Sequence, residues 1–102
     1  MDRIERIQQM LNEQPNDGFL QHALALEWIK RGEDDAAESC FNTLLAAQPD
    51  YLGAYYHLGK LYERTERIEL ALQWYEKGMK LATEQGDRHA LNELRSAYDE
   101  LI

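Results

Sequence analysis

The chain repeats itself at a spacing of 34 residues, and that period limits what it can fold into more than any other feature. Pro15 and Pro49 stand 34 residues apart, each preceded by a glutamine and followed by a short polar cap, Asn16-Asp17 or Asp50. The same step pairs Leu24 with Leu58, Ala25 with Gly59, Trp28 with Tyr62, Ala37 with Ala71 and Phe41 with Tyr75. Small residues fall on small ones and aromatics on aromatics, as expected when one packing unit is used twice. The chain has no valine, and its five isoleucines and three threonines are its only β-branched residues. Leucine, alanine, glutamate and glutamine abound, so strand material is scarce and helix material plentiful. The expectation is an all-α fold whose core forms where helices stack side by side.

The segment Tyr55-Tyr56-His57-Leu58-Gly59-Lys60-Leu61-Tyr62, followed by Ala71 and Tyr75, resembles the tetratricopeptide repeat, TPR. That family's helix-turn-helix pattern reads W-x2-L-G-x2-Y, then A-x3-F, then P. The resemblance implies a solenoid of about six antiparallel helices forming a right-handed superhelix. A small residue at Ala25 or Gly59 lets the paired helices approach, and aromatics at Trp28, Tyr62, Phe41 and Tyr75 fill the spaces between them. Residues 18–51 read as one full repeat and 52–85 as a second, with two extra residues carrying the second to 87. The pattern is broken at four places. Gln21 stands where the family has a large aromatic, Asp34 where a buried residue is common, Glu66 for the turn glycine and Thr83 for the closing proline.

Outside the repeats, Ile4, Ile7 and Leu11 form one apolar stripe at helical spacing. Residues 3–14 therefore read as an N-terminal capping helix, with Arg3 falling where Ala37 and Ala71 sit in the repeats. Leu91, Leu94 and Tyr98 copy the first-helix pattern only if the period stretches by two residues, which makes 88–102 a C-terminal capping helix. The strict period would bury His89, Asn92 and Glu93, which is costly for groups without partners. The stretch is assigned to residues 83–87, with Gly86 ending one helix and Asp87 capping the next. Helices are predicted at 3–14, 18–31, 34–47, 52–65, 68–84 and 88–101.

At 102 residues the chain has room for a single domain. No run approaches the roughly 18 apolar residues of a membrane span, and the start Met1-Asp2-Arg3-Ile4 lacks a secretory apolar stretch. Cys40 is the only cysteine, so an intrachain disulfide is impossible and a reducing, cytoplasmic setting is expected. Nineteen acids against eleven bases give a net charge of -8, which repels phosphate backbones and argues against nucleic-acid binding.

By the TPR resemblance, the first helix of each repeat lines a concave groove. Its expected residues are Phe19, His22, Ala23, Leu26, Ile29 and Lys30, then Gly53, Tyr56, His57, Lys60, Glu63 and Arg64. The last helix adds His89, Asn92, Glu93 and Ser96 in the stretched register. Phe19, Leu26, Ile29 and Tyr56 are apolar at groove positions, and Lys30, Lys60, Arg64, His22 and His57 give it a basic tendency. Such a surface suits a peptide segment with apolar side chains and one or two carboxylates. Some TPR domains clamp a chaperone's terminal carboxylate with lysine, arginine and asparagine. His22, Leu26 and His57 stand at clamp positions here, so that mode is not expected.

His22 and His57 with Glu63 or Asn92 are weighed as zinc ligands and set aside, since no HExxH or CxxC spacing occurs. Cys40 reads as a small packing residue, and no phosphate loop or GxSxG turn is present. The expectation is a non-catalytic protein-interaction module without a cofactor, monomeric or weakly dimeric, that takes a partner peptide in its groove. Self-association through the groove or the terminal helices is the alternative.

Overall fold

The structure is a computed structural model that describes residues 2–102. These residues form six α-helices and no strand: α1 (Arg3–Glu13), α2 (Gly18–Lys30), α3 (Asp34–Ala47), α4 (Gly53–Arg64), α5 (Ile68–Gln85) and α6 (Arg88–Asp99). Every helix begins and ends within two residues of its predicted bounds. The chain divides into two compact units, the first ending at Tyr51 and the second running from Leu52 to Ile102.

In the first unit, the starts of α1 and α2 are set by aspartates. The Asp2 carboxylate accepts from the Glu5 N–H at 2.9 Å, and the Asp17 carboxylate from the Leu20 N–H at 3.1 Å. Each satisfies a backbone donor that the first helical turn leaves without a partner. Pro15 follows the last turn of α1, where its missing N–H stops the helix from continuing. The glutamine before the second proline has its own task. Gln48 Nε2 donates to the Asn16 carbonyl at 2.8 Å, and its side chain lies over Gly18, where an added Cβ would come within 2.6 Å of Gln48 Oε1. Ile4 and Ile7 of α1 pack with Leu24 of α2, with Leu11, Leu20, Ala23, Trp28 and Cys40 closing around them. Ala25, Ala37 and Phe41 are wholly buried.

In the second unit, α5 packs against both α4 and α6. Two glycines permit the approach. A Cβ at Gly59 of α4 would overlap the ring of Tyr75 on α5, which is wholly buried. A Cβ at Gly78 of α5 would stand 2.9 Å from Tyr55 Cβ on α4 and 3.0 Å from both Leu94 methyls on α6. Helices meeting at these points are held together by ring and methyl contacts at interior packing density.

Three helix ends share one hydrogen-bond pattern. The residue after Gly32, Glu66 or Gly86 donates its N–H five residues back: Glu33 to Trp28 O at 2.9 Å, Arg67 to Tyr62 O at 2.8 Å, and Asp87 to Ala82 O at 2.9 Å. This closure needs a left-handed residue, and Gly32 (φ 75°) and Gly86 (φ 71°) supply it without strain. Glu66 does the same work at φ 64°, the one non-glycine with positive φ among the described residues. Arg67 steadies that turn, its guanidinium 4.6 Å from the Tyr62 ring centre and its Nε donating to Thr65 Oγ1 at 3.1 Å.

The absence of a third proline, at the 34-residue step after Pro49, explains the stretched period. With Thr83 in its place, α5 runs on to Gln85 and stops only at Gly86. Asp87 then caps α6, accepting from the Ala90 N–H at 3.0 Å. In that register Leu94 and Ala97 are buried while His89, Asn92 and Glu93 stay exposed.

Two substitutions test this account by thermal unfolding. Glu66→Gly should raise stability by about 1 kcal/mol, because it relieves a left-handed residue that carries a Cβ. For a domain of this size that is a rise in Tm of roughly 4–6 °C. Gly59→Ala should lose about 1–3 kcal/mol despite its better helix propensity, since the buried Tyr75 ring has no room to withdraw.

Candidate functional site

Each unit has a recess beside the helix that leads its repeat. In the first unit a recess of about 290 Å³ is lined by Arg3 of α1 and by Phe19, His22, Ala23, Leu26, Glu27 and Lys30 of α2. Phe19, Ala23 and Leu26 lie at helical spacings of four and three, so they share a face. Phe19 is 71% exposed. The His22 ring sits behind, edge-on to Tyr51 at 5.4 Å and tilted on Phe41 at 6.1 Å. Glu27 ties the rim together: its Oε1 accepts from Arg3 Nε at 2.7 Å and lies 3.6 Å from Lys30 Nζ.

The second unit's recess, about 350 Å³, is lined by Tyr56 and Lys60 of α4 and by His89, Asn92, Glu93, Ser96 and Ala97 of α6, with Glu100 beyond it. A buried hydroxyl acts on its Lys60 through one carboxylate. Tyr75 donates to Glu63 Oε2 at 2.9 Å, and burial beside that carboxylate pushes the phenol far above its usual range, so it remains a donor. The same Glu63 oxygen lies 3.6 Å from Lys60 Nζ, which in turn stands 5.6 Å from the Tyr56 ring centre. A run of contacts thus links the interior of the unit to the residues on its surface.

The 34-residue step explains why the recesses differ. Positions 56, 60, 63 and 75 hold Tyr56, Lys60, Glu63 and Tyr75; the matching positions hold His22, Leu26, Ile29 and Phe41. A polar set in one copy is almost wholly apolar in the other. The change is physically consistent, because losing the Tyr75 hydroxyl removes the need for an acceptor at position 63. The sequence carries this signal, but it emerges only when groove positions, not just core positions, are compared across the period.

The structure brings some expected groove residues together and not others. Phe19, His22, Leu26 and Lys30 line the first recess, and Tyr56, Lys60 and Asn92 the second. Of the four apolar groove residues, Phe19 is open to solvent, while Leu26, Ile29 and Tyr56 are half-buried. Glu63 supports Lys60 and Tyr75 rather than lining a recess. Arg64 is exposed at the last turn of α4, and Ile29 and His57 line neither recess.

The charged side chains lining the two recesses differ: two cations and one carboxylate, Arg3, Lys30 and Glu27, in the first, against one lysine and two carboxylates, Lys60, Glu93 and Glu100, in the second. In the second, Lys60 is paired with Glu63, burial pushes His57 down against the opposing pull of Glu93, and Glu93 and Glu100 face the recess. Arg3, read from the sequence only as part of a capping helix, is a rim residue of the first recess. Among the described residues no group of three or more histidines, cysteines or carboxylates is placed to hold a metal ion. Cys40 is half-buried, and burial pushes its thiol up, which keeps it protonated. No helix of the described residues is long and apolar enough to cross a membrane.

Comparison with known proteins places these features in a family. The sequence pattern described as tetratricopeptide repeat matches residues 52–85. A tetratricopeptide repeat domain protein from Salinibacter ruber, seen in a crystal structure, is 41% identical over 83% of this chain and 94% of that chain, with a TM-score of 0.79. The solution structure of a Bordetella parapertussis protein is 26% identical over 99% of this chain and 88% of that chain, with a TM-score of 0.86. The first TPR of Spaghetti, bound to the HSP90 peptide SRMEEVD, is 26% identical over 96% of this chain and 76% of that chain, with a TM-score of 0.76. The search of curated proteins gave no match. With a shared period, a shared helix plan and 41% identity across nearly the whole of a TPR domain, the chain belongs to the tetratricopeptide repeat family.

Proposed function

We propose that the chain is a non-catalytic protein-interaction module that holds a partner peptide segment in a recess of one of its units, on α2 in the first or on α4 and α6 in the second. The observation that carries this reading is the pair of recesses, one per unit, each built on the helix that leads a repeat and each mixing apolar or aromatic surface with charged rims. An exposed phenylalanine beside apolar and charged neighbours is what a peptide-binding surface offers an incoming side chain. The HSP90 peptide seated on the first TPR of Spaghetti supports peptide capture as the mode. It does not supply the ligand. With His22, Leu26 and His57 at clamp positions, a chaperone tail lacks the lysine and asparagines that would hold its carboxylate. The protonated, half-buried Cys40 thiol fits a chain with no chemistry of its own. The reading includes a cytoplasmic location, supported by a single cysteine that has no intrachain partner for a disulfide.

A second reading, self-association, is favoured by apolar side chains outside both recesses, Met10 at 47% exposure and Ile102 at 76%. The two make different predictions. Replacing Tyr56, Lys60 and Asn92 together by alanine should lower partner recovery in a quantitative affinity pull-down by about tenfold or more, with the helical circular dichroism retained. Unchanged recovery by a folded variant would rule out the second unit's recess as the place of capture. Light scattering of the unaltered chain should return a mass near 11.9 kDa at all concentrations. A mass that climbs with concentration, and is insensitive to the triple variant, would establish self-association instead.

A further inference from the structure

We infer that the first unit's recess is a subsite for an apolar side chain followed by a carboxylate, and that Arg3 of α1 is the residue that selects the acid. This deepens, and rests on, the reading of the chain as a peptide-binding module. The apolar half comes from Phe19, Ala23 and Leu26, one face of α2, with Phe19 standing 71% exposed at its end. An aliphatic side chain laid there removes apolar area from water on both partners.

The acidic half follows from a count of charges. Arg3 and Lys30 both lean on a single carboxylate, that of Glu27, at 2.7 and 3.6 Å. The neighbouring charges Asp2 and Arg31 lie 3.3 Å apart and cancel each other. One positive charge is therefore in excess at the rim. Exposure sharpens the point: the Glu27 side chain is 14% exposed, while those of Arg3 and Lys30 are 66% and 72% exposed. A ligand meets far more of the two cations than of the anion. The Glu27 contact uses Arg3 Nε, and the planar guanidinium presents two further nitrogens suited to a carboxylate.

The second recess points the other way, since Glu93 and Glu100 face it and Lys60 is held by Glu63. An acidic segment therefore belongs in the first. The chain's net charge of -8 opposes approach at long range, but at about 0.15 M salt that field fades over roughly 8 Å. The rim cations then decide the outcome at contact. Arg3 also departs from the repeat pattern in the right way: its counterparts at the 34-residue step are Ala37 and Ala71, both wholly buried.

The test is an NMR titration of the full ¹⁵N-labelled chain with three blocked peptides, GLDLDG, GLKLKG and GSDSDG. GLDLDG should shift the amides of Phe19, Ala23 and Leu26, and the other two should bind at least about fivefold more weakly. Arg3→Gln should weaken GLDLDG by about three- to fivefold, and Arg3→Lys should restore most of that loss. Lys30→Gln, which breaks no contact with α1, should give a similar drop and guards against an effect of loosened packing. Equal binding of GLKLKG, no effect of Arg3→Gln, or no shift in either unit would each overturn the inference. Shifts confined to Tyr56 and Asn92 would overturn this subsite while leaving the peptide-binding reading standing.

Discussion

The second unit depends on how closely α5 can lie against its neighbours. Gly59 leaves the space that the Tyr75 ring fills, and Gly78 leaves the space between Tyr55 and Leu94. Once Tyr75 is placed there, its hydroxyl must find an acceptor, because an unpaired buried donor costs about 1–3 kcal/mol. Glu63 accepts it at 2.9 Å, and the placement of Glu63 then brings Lys60 to 3.6 Å from the same oxygen. Lys60 in its turn stands beside Tyr56. Packing of the interior thus sets the chemistry of the recess, through one hydroxyl and one carboxylate.

The first unit reaches a different surface from the same period because that hydroxyl is absent. Phe41 fills the Tyr75 position and Ile29 the Glu63 position, so nothing inside calls for a carboxylate. Leu26 replaces Lys60, and the recess acquires an apolar wall. Its charge is supplied from elsewhere, by Arg3 from α1 and Lys30 from the last turn of α2. A net charge of -8, uninformative as a bulk figure, resolves into one rim with a positive excess and one that faces two glutamates.

Much of the fold was legible in the sequence because the signals were local. Pro15, Pro49, Gly86 and Asp87 act within one turn of where they stand, so helix ends could be placed from them directly. The two-residue stretch before α6 could be read because burying Asn92 and Glu93 was the costly alternative, and both are exposed. The recess was harder to read. Helical periodicity says which face a residue occupies, but not whether a long side chain crosses to the next helix. Arg3 reaches Glu27 across 24 positions of sequence, and no spacing rule links the two. Residue type alone marks Lys60 and His57 as basic, but it says nothing of the Glu63 carboxylate beside Lys60 or of the burial that pushes His57 down.

Comparing the two copies separates what the fold requires from what a ligand could read. Positions 25 and 59, 37 and 71, and 41 and 75 keep their size and apolar character, because each is buried where helices meet. Positions 22 and 56, 26 and 60, and 29 and 63 change chemical class between copies while the helices around them stay the same. A residue that had to satisfy both packing and recognition would not be free to change in this way. The exception is Tyr75, whose ring packs while its hydroxyl fixes Glu63, so one side chain belongs to both sets. At that position a change from tyrosine to phenylalanine preserves the volume and removes the reason for the polar surface above it. The two repeats show both outcomes of that single oxygen.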